Sequence, residues 1–231
     1  MDFKFNPDIE KELYDVCIVG AGASGLMAAN AILREKPDCK LLLVDAKDRP
    51  GRKIAASGNG KCNLSNIKSE GWSIVSAFFG YLGVLTKNDE EGRIYPYSEY
   101  APDVVEALTK KLESADWLLS SRLTSVKYAK GVFLVAVRQD AFSVKLKGKG
   151  AKSKQVSKNQ KSKTFSIKAR RLVLACGGTA APQLGTCGDG FALAKQLAHA
   201  VREPVPALCG IRTEQNMKKL GLSGVRQKAL V

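Results

Sequence analysis

An α/β fold with a parallel sheet flanked by helices is predicted by three neighbouring stretches of this sequence. Asp15–Gly20 (D-V-C-I-V-G) is an apolar, β-branched run closed by glycine. Ala23–Glu35 is rich in helix formers and carries Leu26, Ile32 and Leu33 on an apolar face, with Pro37 to stop it. Lys40–Asp45 (K-L-L-L-V-D) is a second apolar run, closed by an acid. Strand, helix and strand within about thirty residues form a βαβ unit, whose strands are buried on both faces.

The later elements follow from the same periodicities. Gly51–Asn66 is rich in Gly, Ser, Asn and Lys and reads as a long loop, a kind of segment that is usually functional. Gly71–Leu85 contains a short helix. Ser98–Trp117 reads as one helix, with Val104, Leu108, Leu112 and Ala115 at helical spacing. Ser125–Lys127, Gly131–Arg138 and Thr164–Lys168 are strands of a small antiparallel β-meander at about residues 123–169. Arg171–Cys176 (R-L-V-L-A-C) is a third buried strand, followed by Gly177-Gly178. Gly188–Ala200 is a helix stopped before Pro204, and a short strand is expected at Ala207–Arg212.

Composition narrows the classes. A chain of 231 residues with 45% hydrophobic and 26% charged residues is an ordinary globular protein, and no apolar run reaches the ~18 residues of a membrane span. Met1–Glu10 lacks the basic-then-apolar layout of an export signal, so a cytoplasmic protein with no membrane partner is expected. Six cysteines without a C-x-x-C pair, and a single histidine (His199), argue against a zinc site. The net charge of +15 is concentrated: eight lysines and no acids lie in 145–163. That Lys-rich segment reads as a loop interrupting the meander. It holds no aromatic residue, its nearest being Phe165, and no nucleic-acid motif, so nucleic acid is not the expected partner.

The turn between the first strand and helix is Gly20-Ala21-Gly22-Ala23-Ser24-Gly25, a G-x-G-x-x-G. Gly20 permits the tight turn, Gly22 lets a diphosphate approach the backbone, and Gly25 lets helix pack on strand. The helix N-terminus offers free N–H groups to the phosphates. Asp45 stands twenty residues after Gly25, where a carboxylate accepts ribose hydroxyls and disfavours a 2′-phosphate. The fold is therefore Rossmann-like and the ligand a dinucleotide. The loop of small residues and donors after Asp45, in place of an ordinary helix, suits an extended ligand.

The run G-R-K-I-A-A-S-G-N-G-K-C-N-L-S-N (Gly51–Asn66) resembles the signature of the BaiN-like, or aminoacetone-oxidase-like, FAD-dependent oxidoreductases. So do E-G-R-I-Y-P-Y-S-E-Y-A (Glu91–Ala101), L-V-L-A-C-G-G-T-A-A-P-Q-L-G-T-C-G-D-G-F (Leu172–Phe191) and P-V-P-A-L (Pro204–Leu208). The resemblance implies an FAD-binding Rossmann-like domain over 1–212, with 213–231 beginning a substrate domain. It implies FAD contacts at Gly20, Gly22, Ala23, Ser24 and Gly25 for the diphosphate and at Asp45 for the ribose. Lys53, Ser57, Gly58, Gly60, Lys61, Cys62 and Asn63 would line the ribityl and flavin side. Val126 would offer backbone groups to adenine, and Ala175, Gly177 and Gly178 would close over the cofactor.

Cys62 is read as a small residue packed beside the cofactor rather than a redox thiol, since no partner cysteine stands at the right spacing. His199 is read as a helix-end cation, and Tyr95, Tyr97 and Tyr100 as core or stacking residues. No catalytic residue and no metal site is assigned. NADH or NADPH is expected only as a transient electron donor, because there is one G-x-G-x-x-G.

Two departures from the family pattern stand out: Asn66–Ala77 is shorter, and the Lys-rich segment is inserted. The chain is expected to lack the substrate domain and the return segment that completes the FAD site, and hence to bind FAD weakly by itself. Three functions compete: an FAD-dependent oxidoreductase of unknown substrate, a catalytically silent relative, and a binder of nucleic acid or acidic partners through the basic loop.

Overall fold

The computed structural model describes residues 3–139 and 162–205. The chain divides into two compact units, Met1–Val201 and Arg202–Val231, and all that follows concerns the first. In the second, Arg202–Val205 has no regular secondary structure. The expected strand at Ala207–Arg212 and residues 145–161 of the Lys-rich segment lie outside the described residues.

Strand β1 (Leu13–Val19), helix α1 (Ala23–Glu35) and strand β2 (Leu41–Val44) build the predicted βαβ unit, β1 and β2 pairing in parallel with Val16 opposite Leu41. Alternate residues of these strands feed two cores on opposite faces. Val16, Ile18, Leu41 and Leu43 pack with Leu26, Ala29 and Leu33 of α1. Cys17, Val19, Leu42 and Val44 pack on the other side with Val135, Val137, Phe165 and Ile167. Removal of both faces from water explains why the strands are continuously apolar.

The segment read as a long loop is folded: α2 (Arg52–Ala56) is followed by a 3₁₀ turn over Ser57–Gly60. A five-residue helix shows no full apolar period, so the pattern could not reveal it. Next come β3 (Ser65–Asn66), α3 (Trp72–Tyr81), β4 (Thr86–Asn88) and β5 (Arg93–Pro96). The three strands make a separate antiparallel sheet in the order β3-β5-β4, which the sequence reading did not contain.

Helix α4 (Ala101–Lys110) occupies only the first part of the helix expected over Ser98–Trp117. Pro102 and Asp103 suit its first turn and Lys110 its last. The remainder turns into β6 (Asp116–Leu118), a parallel neighbour of β2 with Trp117 opposite Leu43. Asp116 is buried and accepts from the Tyr14 hydroxyl (2.8 Å) and from Asn6 Nδ2 (3.0 Å), and that network fixes the strand in place. Asn30 of α1 joins α1 to α4 by donating to the Leu108 carbonyl at 2.7 Å.

Strands β7 (Ser121–Ala129), β8 (Val132–Gln139) and β9 (Lys163–Leu174) form the meander. Thr164–Lys168 and Arg171–Cys176, expected as two strands, are one. The first half of β9 pairs antiparallel with β8 and the second half parallel with β1. The meander and the parallel strands are thus a single six-stranded sheet, in the order β6-β2-β1-β9-β8-β7. The end of β9 is only half-buried, because it has little cover among the described residues. A 3₁₀ turn at Pro182–Leu184 leads to α5 (Asp189–Gln196), which stops before the expected Ala200. Ala198 takes a positive φ of 62° there, and His199 follows it.

Candidate functional site

The C-terminal ends of β1, β2 and β9 converge on one cleft of about 260 Å³. Backbone bonds hold the three ends together: Gly20 N–H donates to the Val44 carbonyl at 2.7 Å, and Ala175 N–H to the Val19 carbonyl at 2.8 Å. Ligands of open parallel sheets bind at this edge, beyond the carboxyl ends of the strands.

The three glycines of the turn have different structural reasons. A Cβ on Gly20 would lie 2.3 Å from the Ala175 carbonyl oxygen, and its φ of +106° also favours glycine. A Cβ on Gly25 would lie 1.8 Å from the Gly20 carbonyl oxygen. Both positions are closed by backbone. Gly22 is different: among the described residues a Cβ there meets no atom within 4 Å, and its φ of −86° is open to any residue. Gly22 is also the residue before α1, whose first amides have no side-chain cap.

Asp45 ties the site together. Its Oδ2 accepts from Ala21 N–H at 2.6 Å and its Oδ1 from Lys47 N–H at 2.8 Å. Burial pushes its carboxyl above the usual carboxylate range, opposed by those two amides and by the charges of Lys47 and Arg52. Each carboxylate oxygen retains a further acceptor position.

Of the residues singled out in the sequence, Gly20, Gly22, Ala23, Ser24, Asp45, Lys53, Ala175 and Gly177 line the cleft. Gly25 lies behind it, in the strand–helix contact. Ser57, Gly58 and Gly60 fall on the 3₁₀ turn and Lys61, Cys62 and Asn63 directly after it; none of them lines the cleft, nor does Gly178. Cys62 is buried in the core on the α1 face, with burial raising its thiol pKa. Val126 is buried on β7, and its N–H donates to Gln196 Oε1 at 2.9 Å. The part of β7 that reaches the cleft is Ser121–Leu123.

Sequence reasoning missed the cations. Lys47, Arg49, Arg52 and Arg122 join Lys53 around the cleft, against the acids Asp45 and Asp189. Arg49 and Arg52 flank Gly51 just after Asp45, a signal that was available. Arg122 came from a remote strand and gave none. It forms an ion pair with Asp189, and its Nη1 donates to Cys187 Sγ at 3.3 Å. The Cys176 thiol, also at the cleft, is pushed up to about 11 by burial.

A βαβ unit with this turn and this acid defines the class: a Rossmann-like domain. Residues 14–77 match the HI0933-like protein Rossmann domain. The chain is 32% identical over 218 residues to the 3-dehydro-bile acid delta(4,6)-reductase of Clostridium scindens, covering 86% of this chain and 47% of that protein. It is 25% identical to the ribosomal RNA dihydrouridine synthase of Escherichia coli, covering 80% of this chain and 44% of that protein. The chain thus spans about half the length of the curated relatives it matches. The crystal structure of THI4 from Thermovibrio ammonificans shares the fold, with a TM-score of 0.51, 16% identity, and coverage of 81% of this chain and 64% of that one. These findings bear out the resemblance to the BaiN-like flavoproteins over most of the chain. Among the described residues no helix is long and apolar enough to cross a membrane.

Proposed function

We propose that this chain is the FAD-binding part of a flavoprotein oxidoreductase. One observation carries the reading: nothing among the described residues requires glycine at Gly22, where the space beside the backbone opens at the cleft. A bare main chain beside free helix amides is what a diphosphate needs. Gly20, Gly22 and Ser24 would hold the diphosphate, with Arg49 and Arg52 supplying charge. Asp45 would take ribose hydroxyls on its remaining acceptor positions. Ala175 and Gly177 would border the cofactor where β9 ends.

FAD, when bound, supplies a ring that accepts and donates hydride. The chain's own residues bind and orient. The free α1 amides and the arginines favour the anionic end, and the apolar ends of β1, β2 and β9 exclude water from one side of it. The choice of FAD rests on the motif resemblance to the BaiN-like flavoproteins; the redox character agrees with relatives named a reductase and a dihydrouridine synthase. NADH or NADPH as a transient donor belongs to the same proposal, as does a substrate-selecting part opening at 213–231. The substrate is left open, because the relatives' names describe unrelated molecules.

The test is an absorbance spectrum of the purified protein, followed by titration with FAD under fluorescence detection. Flavin bands, or saturable quenching of added FAD that Gly22→Ala weakens, support the reading. A colourless protein that leaves FAD fluorescence unchanged ends it.

A further inference from the structure

Residues 178–187 form a strap along one wall of the cleft, and among the described residues its attachments are few. Leu184, Gly185, Thr186 and Cys187 line the cleft. Leu184, with Arg49 and Arg52, also borders a more open cavity of about 700 Å³ on the other side. The strap is therefore part of the partition between two spaces. Its backbone bonds, Leu184 to Ala181 and Gly185 to Pro182, stay inside the segment. At its ends stand Gly177 and Gly188, with φ of +75° and +83°.

Among the described residues three side chains reach the strap from the body of the domain by hydrogen bonds, one of them Asp189 of α5, whose Oδ1 accepts from Cys187 Sγ at 3.1 Å. Lys53 Nζ donates to the Ala180 carbonyl at 2.8 Å, and Arg122 Nη1 donates to Cys187 Sγ at 3.3 Å. The Thr186 hydroxyl donates to the same Ala180 carbonyl at 3.0 Å, closing the strap on itself. Lys47 adds packing: its Cε lies 1.9 Å from where a Cβ on Gly185 would be, so only glycine lets the two approach. A segment with glycines at both ends and few outward bonds opens as a unit at low cost.

We propose that Lys53 is a positioning residue that tethers the 178–187 strap against the cleft, and that opening of this strap gates entry and exit of a dinucleotide. The part about the dinucleotide rests on the reading given under Proposed function; the tether does not. In the closed arrangement the Lys53 ammonium serves a carbonyl of the strap. When the strap lifts, the partition at Leu184 is removed and the two cavities join.

The experiment has two arms. In the first, hydrogen–deuterium exchange is followed in the full chain without added ligand. Lys53→Met is expected to speed exchange of amides in 180–187 about tenfold, and Lys53→Arg to restore slow exchange. Thr186→Val, which loosens the strap internally, should act in the same direction. Exchange in 180–187 unchanged by Lys53→Met and by Thr186→Val overturns the tether. In the second, FAD binding is followed by stopped-flow fluorescence. Lys53→Met is expected to raise both association and dissociation rates about threefold or more, with little change in their ratio. A slower or unchanged association with faster dissociation would make Lys53 a direct ligand contact and overturn the gate. If wild type binds no FAD, the functional reading fails while the exchange arm still decides the tether.

Discussion

Two glycine-rich segments meet near this site, and they use glycine for opposite reasons. In the turn after β1, Gly20 and Gly25 are sealed by backbone, but Gly22 faces open space with an ordinary φ. In Gly51–Gly60, glycine serves the chain's own path. Gly51, Gly58 and Gly60 have φ of +70°, +56° and +84°, and Cβ atoms on the first two would lie 2.7 Å from Val105 and from Asn63 N. A glycine with positive φ or a closed Cβ position is explained by the fold. A glycine with neither, standing at the mouth of a cleft as Gly22 does, leaves room for a ligand. The first segment therefore points to a ligand on geometry alone, while the second does so only through family resemblance.

The largest effect that can be asked of this contrast is loss of the fold. Gly25→Ala puts a methyl group 1.8 Å from a main-chain oxygen, and neither helix nor strand can yield without disturbing the core between them. A loss on the order of 3 kcal/mol or more in urea unfolding is expected. If Gly25→Ala unfolds at the wild-type midpoint, the close strand–helix contact is wrong.

Gly22→Ala should separate the two kinds of glycine most cleanly. Its methyl group meets nothing among the described residues, so unfolding should move by less than about 1 kcal/mol. FAD affinity should fall by about thirtyfold or more, roughly 2 kcal/mol of binding free energy. A protein whose FAD titration is unaltered by Gly22→Ala would place the diphosphate elsewhere. The converse is expected at Gly60, where open space is combined with a φ of +84°. Gly60→Ala should cost about 1 kcal/mol of stability through backbone strain, with a smaller effect on FAD than Gly22→Ala.

The same contrast accounts for what could be read from the sequence. The turn from Gly20 to Asp45 was legible because its geometry is local: one βαβ unit fixes the spacing of glycines and acid. Segment 51–66 was not, because α2 and the 3₁₀ turn are each about one turn long and their positive-φ glycines look like loop residues. Asp116–Leu118 was absorbed into the preceding helix because three strand residues show no period of their own. Arg122 and Asp189 belong to the cleft only through the sheet order, which brings the start of β7 beside α5. Val126 was placed by resemblance four residues beyond Arg122 on the same strand, where Gln196 takes its N–H.

The smallest expected effect compares the carboxylates that anchor the two segments. Asp45 accepts the Ala21 amide of the glycine turn, and Glu99 pairs with Lys61, the residue after the second segment (2.5 Å), and with Lys87 (2.9 Å). Burial raises the Asp45 pKa above its unfolded value of about 3.9, so the folded state holds the extra proton between the two values. Its effect is a stability that falls as pH rises through that window. Hydrogen bonds from Lys61 and then Lys87 lower the Glu99 pKa to about 2. Its contribution is present above the unfolded value of about 4.3 and is lost as pH falls toward the folded one. Because the Glu99 pair is solvated and screened, its slope should be shallow and should shrink further in salt. Urea unfolding from acid to neutral pH checks both. Relative to wild type, Asp45→Asn should gain stability as pH rises and Glu99→Gln should lose it. Slopes of the same sign would mean that one of the two carboxylates does not sit in the surroundings described for it.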